Sequence, residues 1–200
     1  MTAAVAPGAT VLDVRPVSDF VRGHVAGSLF VDFDRRVFLP FVRLLVPSAT
    51  AVVLVAADQD VAGAASALLA GEGYRVTDTV VSGTGAPASL GPVEPLPTLG
   101  VDELADRLAS PARDFELVDV RQSFEWKLGY IDGAVLVPLK HLPADTKRWK
   151  PADEILLLCE QGVRSATAAS YLLQRGYANA KSVEGGVAAW ASSGRTLLED

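Results

Sequence analysis

The residues able to do covalent chemistry converge on one stretch, Cys159-Glu160-Gln161-Gly162-Val163-Arg164-Ser165, which holds the only cysteine of the 200 residues. Ahead of it, Ile155 to Leu158 is a run of four apolar residues that reads as a buried strand. Behind it, Ser165 to Arg175 carries Ala166, Ala169, Leu172 and Leu173 at helical spacing. Strand, short loop and helix together aim backbone N–H groups at an anion. A cysteine at the start of that loop sits in their field, and its thiolate is favoured by the helix N-terminus and by Arg164. The plainer reading is a cysteine packed as a small hydrophobe. Gly162 and Arg164, placed just ahead of the helix, weigh against it, because packing alone asks for neither.

The stretch Cys159 to Ser165 resembles the active-site loop of rhodanese-type sulfurtransferases, C-x-x-G-x-R-S. Tyr171 to Tyr177 is similar to that family's helix end, and Val183-Glu184-Gly185-Gly186-Val187-Ala188-Ala189-Trp190 to its closing segment. Upstream, Asp119-Val120-Arg121 with Glu125-Trp126 and Gly129 to Ala134 resembles D-V-R…E-[FYW]…G-H-I-x-G-A. Tyr130 stands where the family usually has His, a position expected to be structural.

The resemblance implies a sulfurtransferase. Cys159 takes a sulfane sulfur from thiosulfate or a small persulfide, and a thiol, cyanide or sulfite then removes it; a thiol-carrying protein is among the acceptors this implies. Glu160, Gln161, Gly162, Val163, Arg164 and Ser165 form the substrate-binding loop. Their N–H groups serve the anionic sulfur as an oxyanion hole would, Gly162 permits a turn that a Cβ obstructs, and Ser165 reads as a helix N-cap. Glu160 is an acid where thiosulfate-preferring relatives often carry a base, which favours a persulfide donor or a protein partner. No cofactor is implied. Two other functions compete. A C-x5-R phosphatase or arsenate reductase needs five residues between Cys and Arg, and here there are four. A non-enzymatic binding or regulatory module fits the first half of the chain better than the second.

Composition bounds the partners. A net charge of −6 argues against nucleic acid or an anionic membrane. One cysteine allows no internal disulfide, and His24 and His141 are too isolated for a metal site. Met1 to Pro7 lacks the basic and apolar regions of a signal peptide, and no apolar run approaches the ~18 residues of a membrane span. A cytoplasmic setting is expected.

The chain also repeats itself. Asp13, Arg15, Asp19, Gly23 and Gly27 match Asp119, Arg121, Glu125, Gly129 and Gly133 at a shift of 106, and Leu68 to Tyr74 repeats the helix end at a shift of 103. Strand patterns alternate with helical ones in both copies, which implies parallel sheets. The expected fold is α/β: two rhodanese-like domains, each a small, mainly parallel sheet with helices on both faces. A catalytically inactive first domain spans 1–85, a Pro/Gly-rich linker without regular structure 86–97, and the active domain 98–200. The inactive copy has Ala56 and Val61 where the second has Cys159 and Arg164. Its expected use is packing against the active copy or docking a partner. The paired repeat also resembles the double-rhodanese part of fusions with a metallo-β-lactamase-fold persulfide dioxygenase. Trp126 and Trp190 are expected in the core, His24 as a satisfied structural histidine, Arg15–Asp19 and Arg121–Glu125 as ion pairs, and Lys147, Arg148 and Lys150 around Trp149 as solvated surface.

Overall fold

The computed structural model describes residues 5–199; residues 1–4, on which the signal-peptide reading partly rests, lie outside them. The chain forms two compact units, Met1–Leu96 and Pro97–Asp200. In the first, β1 (Thr10–Asp13), α1 (Val17–Arg22), β2 (His24–Val25), β3 (Leu29–Phe30), α2 (Phe38–Leu45), β4 (Ala51–Ala56), α3 (Gln59–Gly71), β5 (Arg75–Val81) and β6 (Val93–Glu94) follow one another. The second contains β7 (Thr98–Leu99), α4 (Val101–Ala109), β8 (Phe115–Asp119), α5 (Ser123–Trp126), β9 (Ala134–Leu136) and α6 (Leu142–Asp145). A short 3₁₀ turn, β10 (Glu154–Leu158), α7 (Val163–Leu173), β11 (Ala180–Val183) and α8 (Gly186–Ser192) complete it.

Both main sheets are parallel throughout. Their strand orders are β3-β1-β4-β5 and β7-β11-β10-β8-β9. The central strands β4 and β10 are nearly all buried apolar residues, as strands covered on two faces must be. In the second unit, Leu156 and Leu158 join Leu104, Val187 and Trp190 in one cluster beneath α4 and α8. Alternation sends Ile155 and Leu157 to the opposite face, and α7 packs on β10 and β11. The first unit departs from helices on both faces. Its cluster of Val11, Val53 and Val55 is closed by Val25 and Leu90, and among the described residues no helical residue joins it.

That closure corrects the reading of 86–97 as a linker without regular structure. Val93 and Glu94 pair with Val25 and His24, Ala26 N–H donates to Pro92 O at 2.8 Å, and Leu96 N–H to Val21 O at 3.0 Å. Leu90 and Leu96 are buried. Apolar anchors three residues apart hold the stretch in place, while its prolines sit where no N–H is needed.

Two ion-pair expectations are also corrected. Arg15 binds Asp13, and Arg121 binds Asp119, each two residues upstream; Asp19 instead pairs with Arg22. The two buried pairs are built alike. The backbone N–H and Nε of each arginine donate to the aspartate, and Nη2 reaches the carbonyl of Gly23 in one unit and Gly129 in the other. Burial raises the Asp119 carboxyl above its usual range, against the pull of Arg121. Trp190 is buried as expected, whereas Trp126 is only half-buried and stacks on Tyr130 at 4.3 Å. Tyr130 in turn exchanges backbone hydrogen bonds with Leu198. Trp149 is buried, its Nε1 donating to Glu116, and Arg148 pairs with the same carboxylate, so this cluster is not merely solvated.

His24 is a structural histidine. It is 2% exposed, stacks on Phe20 at 4.0 Å, and places Nδ1 3.1 Å from Phe20 O. Burial lowers its pKa below 6.5; the Phe20 carbonyl, Glu94 and Asp13 oppose that, and Arg15 adds to it. The unfolded chain therefore takes up a proton first as pH falls. His24 costs nothing above pH ~6.5 and destabilises the first unit progressively as pH drops from there towards its folded value. His24→Phe should reduce the loss of stability between pH 7.5 and 5.5, measured as urea midpoints at the two pH values.

Candidate functional site

The strand β10 delivers Cys159 to the sheet's carboxyl edge, where ligands of parallel sheets bind. The chain then turns sharply into α7, which begins at Val163, two residues earlier than the apolar spacing indicates. The turn depends on Gly162, whose φ of +94° lies in the left-handed region. In this conformation the Gly162 N–H donates to Cys159 Sγ at 3.1 Å. Cys159 is 1% exposed, more enclosed than a partly open site would make it.

Ser165 does not cap α7; Gly162 holds the cap position, with no side chain to accept from the helix's first N–H groups. Ser165 is instead fully buried beneath the sulfur. Its hydroxyl donates to Gly162 O at 3.1 Å and lies 2.8 Å from Ser182 Oγ and 3.5 Å from Cys159 Sγ. Ser182, on β11, is a contributor that sequence reasoning missed, because nothing in its local pattern separates it from an ordinary strand residue.

The loop is held from outside by α8. Val187 N–H donates to Cys159 O at 2.9 Å and Ala188 N–H to Glu160 O at 3.0 Å. The first-turn amides of α8, which have no partner inside their own helix, thus find the carbonyls of the loop. The approach requires Gly186, at φ +60°. A Cβ there would stand 2.1 Å from Cys159 O and 2.7 Å from Glu160 O.

Charge at the site is arranged differently from the expectation. Arg164 does not project a free cation. Its two Nη atoms each donate at 2.7 Å to the Glu125 carboxylate, which also accepts the Gln122 N–H in a capping box. This pair holds Glu125 below the usual carboxylate range and raises Arg164 above its ordinary value. Glu125 was therefore assigned the wrong partner in the sequence. Arg121 extends Nη1 to Glu160 Oε2 at 3.3 Å while staying bound to Asp119. Glu160 is 45% exposed, Gln161 is exposed and Val163 half-buried. The arrangement presents an enclosed thiol to a backbone donor, with two guanidinium groups committed to three carboxylates. Among the described residues no group of His, Cys, Asp and Glu could hold a metal ion, and no helix is long and apolar enough to cross a membrane.

The contact between α8 and the loop can be tested with two glycines. Gly194→Ala, at φ +79° in open space, should cost only the ~1–2 kcal/mol of a left-handed alanine. Gly186→Ala adds a clash with backbone and should cost about 3 kcal/mol or more. Thermal or urea unfolding of the two variants would show the difference, and equal costs would remove α8 as the loop's support.

Comparison with known proteins bears on this second unit. The family model for the rhodanese-like domain matches residues 100–193. A sulfurtransferase of Allochromatium vinosum is 33% identical over 97 residues, covering 48% of this chain and 90% of that protein. A probable adenylyltransferase/sulfurtransferase MoeZ of Mycobacterium tuberculosis is 38% identical over 96 residues, 47% of this chain but only 24% of that one. The crystal structure of a rhodanese-like domain protein from Staphylococcus aureus aligns with 31% identity over 52% of this chain and 99% of its own, at a TM-score of 0.46. With the loop geometry of Cys159 to Ser165 lying inside the matched residues, the chain belongs to the rhodanese-like domain family.

Proposed function

We propose that the protein is a sulfurtransferase that moves a sulfane sulfur from thiosulfate or a small persulfide to a thiol, cyanide or sulfite acceptor through a persulfide on Cys159. The observation that carries this reading is the Gly162 N–H aimed at Cys159 Sγ from 3.1 Å, in a loop fixed by α8. A backbone donor held in this way favours an anionic sulfur without having to reorganise. With a persulfide donor the thiolate attacks the outer sulfur. Cys159–S⁻ and R–S–SH become Cys159–S–SH and R–S⁻; one S–S bond breaks, one forms, and the electron pair leaves on R–S⁻. An acceptor thiolate then removes the same outer sulfur and regenerates the Cys159 thiolate. No histidine base is needed for a thiolate nucleophile. The binding and phosphatase alternatives draw less support. An inert module has no use for an amide aimed at a thiol, and a phosphate-binding loop needs its arginine for the anion rather than for Glu125.

The first unit is read as a degenerate copy of the second. It repeats the β3-β1-β4-β5 order as β9-β8-β10-β11 and duplicates the Asp–Arg–Gly hydrogen bonds. Where the second unit has thiol and cation it has Ala56 and Val61, and Asp58 caps α3 by accepting the Val61 N–H. A carboxylate at that position excludes an anionic substrate. A cytoplasmic, reducing location suits a single free thiol.

Cys159→Ser tests the reading. Serine can keep the Gly162 N–H contact, so the fold should survive with a change of about 1 kcal/mol. Incubation with thiosulfate or glutathione persulfide, followed by intact mass, should add one sulfur atom to the wild type and none to the variant. A wild type that gains no sulfur from either donor would overturn the proposal.

A further inference from the structure

We propose that the sulfur donor is a small persulfide bearing an ammonium group, and that Glu160 is the residue that selects it. The inference rests on the sulfurtransferase reading and narrows its substrate class. A thiosulfate donor brings a dianion and releases sulfite, also a dianion, so its site needs cations with charge to spare. This site has none among the described residues of the loop and its contacts. Both Nη atoms of Arg164 donate to Glu125, whose carboxylate balances its charge, and Arg121 is bound through Nε and Nη2 to Asp119 before it reaches Glu160. Three carboxylates face two guanidiniums, which leaves an excess of negative charge beside the sulfur.

The excess resides on Glu160. Asp119 is fully enclosed and Glu125 is 17% exposed and bound bidentately by Arg164, whereas Glu160 is 45% exposed. Among the described residues its side chain has one polar contact, the 3.3 Å approach of Arg121 to Oε2, at the long end of the hydrogen-bond range. Oε1 has no partner among the described residues, and a carboxylate offers about four acceptor sites. Glu160 is also the residue next to Cys159, with its own carbonyl pinned by Ala188 N–H, so its backbone is fixed relative to the nucleophile. A half-exposed carboxylate on a fixed backbone, one residue from the reacting sulfur, repels an oxyanion and accepts from an ammonium. The enclosed Cys159 suits the same donor, since only a terminal sulfur has to reach it.

Two donors that differ in that charge and by an acetyl group provide the test, with Glu160→Gln separating the two differences: cysteamine persulfide and N-acetylcysteamine persulfide, with thiosulfate as the third. Single-turnover loading of the desulfurised full-length protein is followed by intact mass. The wild type should load from cysteamine persulfide about tenfold faster than from its acetylated form, as expected for one charge-assisted hydrogen bond, and slowest from thiosulfate. In Glu160→Gln, a near-isosteric change at an exposed position, the two persulfide rates should converge to within about twofold, and thiosulfate should gain relative to both. Equal rates for the two persulfides in the wild type, a preference that survives Glu160→Gln, or thiosulfate as the fastest donor would each overturn the assignment while leaving sulfur transfer intact. Loading from none of the three would overturn sulfur transfer itself, and this inference with it.

Discussion

The site depends on a backbone contact: the first-turn amides of α8 donating to the carbonyls of Cys159 and Glu160. A loop that turns its N–H groups inward, towards a sulfur, must turn carbonyls outward, and buried carbonyls need donors. A helix start supplies them in fixed directions. Two consecutive left-handed glycines, Gly185 and Gly186, bring that helix start close enough, and Gly162 closes the loop from the other side. Here the chemistry is set up by main chain, and side chains such as Ser165 and Ser182 fill the space beneath it.

The buried Asp–Arg pairs have a different task. Each links the end of a central strand to a glycine carbonyl about eight residues on, at Gly23 and at Gly129. A buried ion pair gains little net stability, because desolvation offsets attraction, but removing one partner is costly. In the second unit the same arginine also touches Glu160, so a framework interaction reaches the edge of the site. In the first, the spare Nη1 donates to Gly85 O instead. Identical scaffolding therefore ends in a carboxylate in one unit and in plain backbone in the other.

Much of this was legible in the sequence because it is local. Strand, loop and helix around Cys159 are contiguous, and the need for Gly162 follows from the turn itself. What was not legible is what tertiary closure decides. Glu125 lies four residues from Arg121, the spacing of a helical ion pair, yet it bonds Arg164, 39 residues away. Ser165 has the residue type of a cap but falls three positions inside the cap, facing Ser182 across the sheet. The prolines and glycines of 86–97 announced a connector; Leu90, Val93 and Leu96 among them were the stronger signal, since each finds a place on the first unit.

The solitude of Cys159 has one more consequence. A chain with a second thiol can resolve an oxidised or loaded sulfur internally, by closing a disulfide. This chain has no second thiol. A sulfenic acid formed here cannot close a disulfide within these 200 residues; an outside thiol or condensation with a backbone nitrogen recovers it, and otherwise it climbs an irreversible ladder. Enclosure of Cys159, 1% exposed, slows the first oxidation. In the sulfur-transfer reading proposed above, a sulfur accepted on Cys159 stays until a second molecule collects it, so the waiting time is set by the acceptor supply of the surroundings.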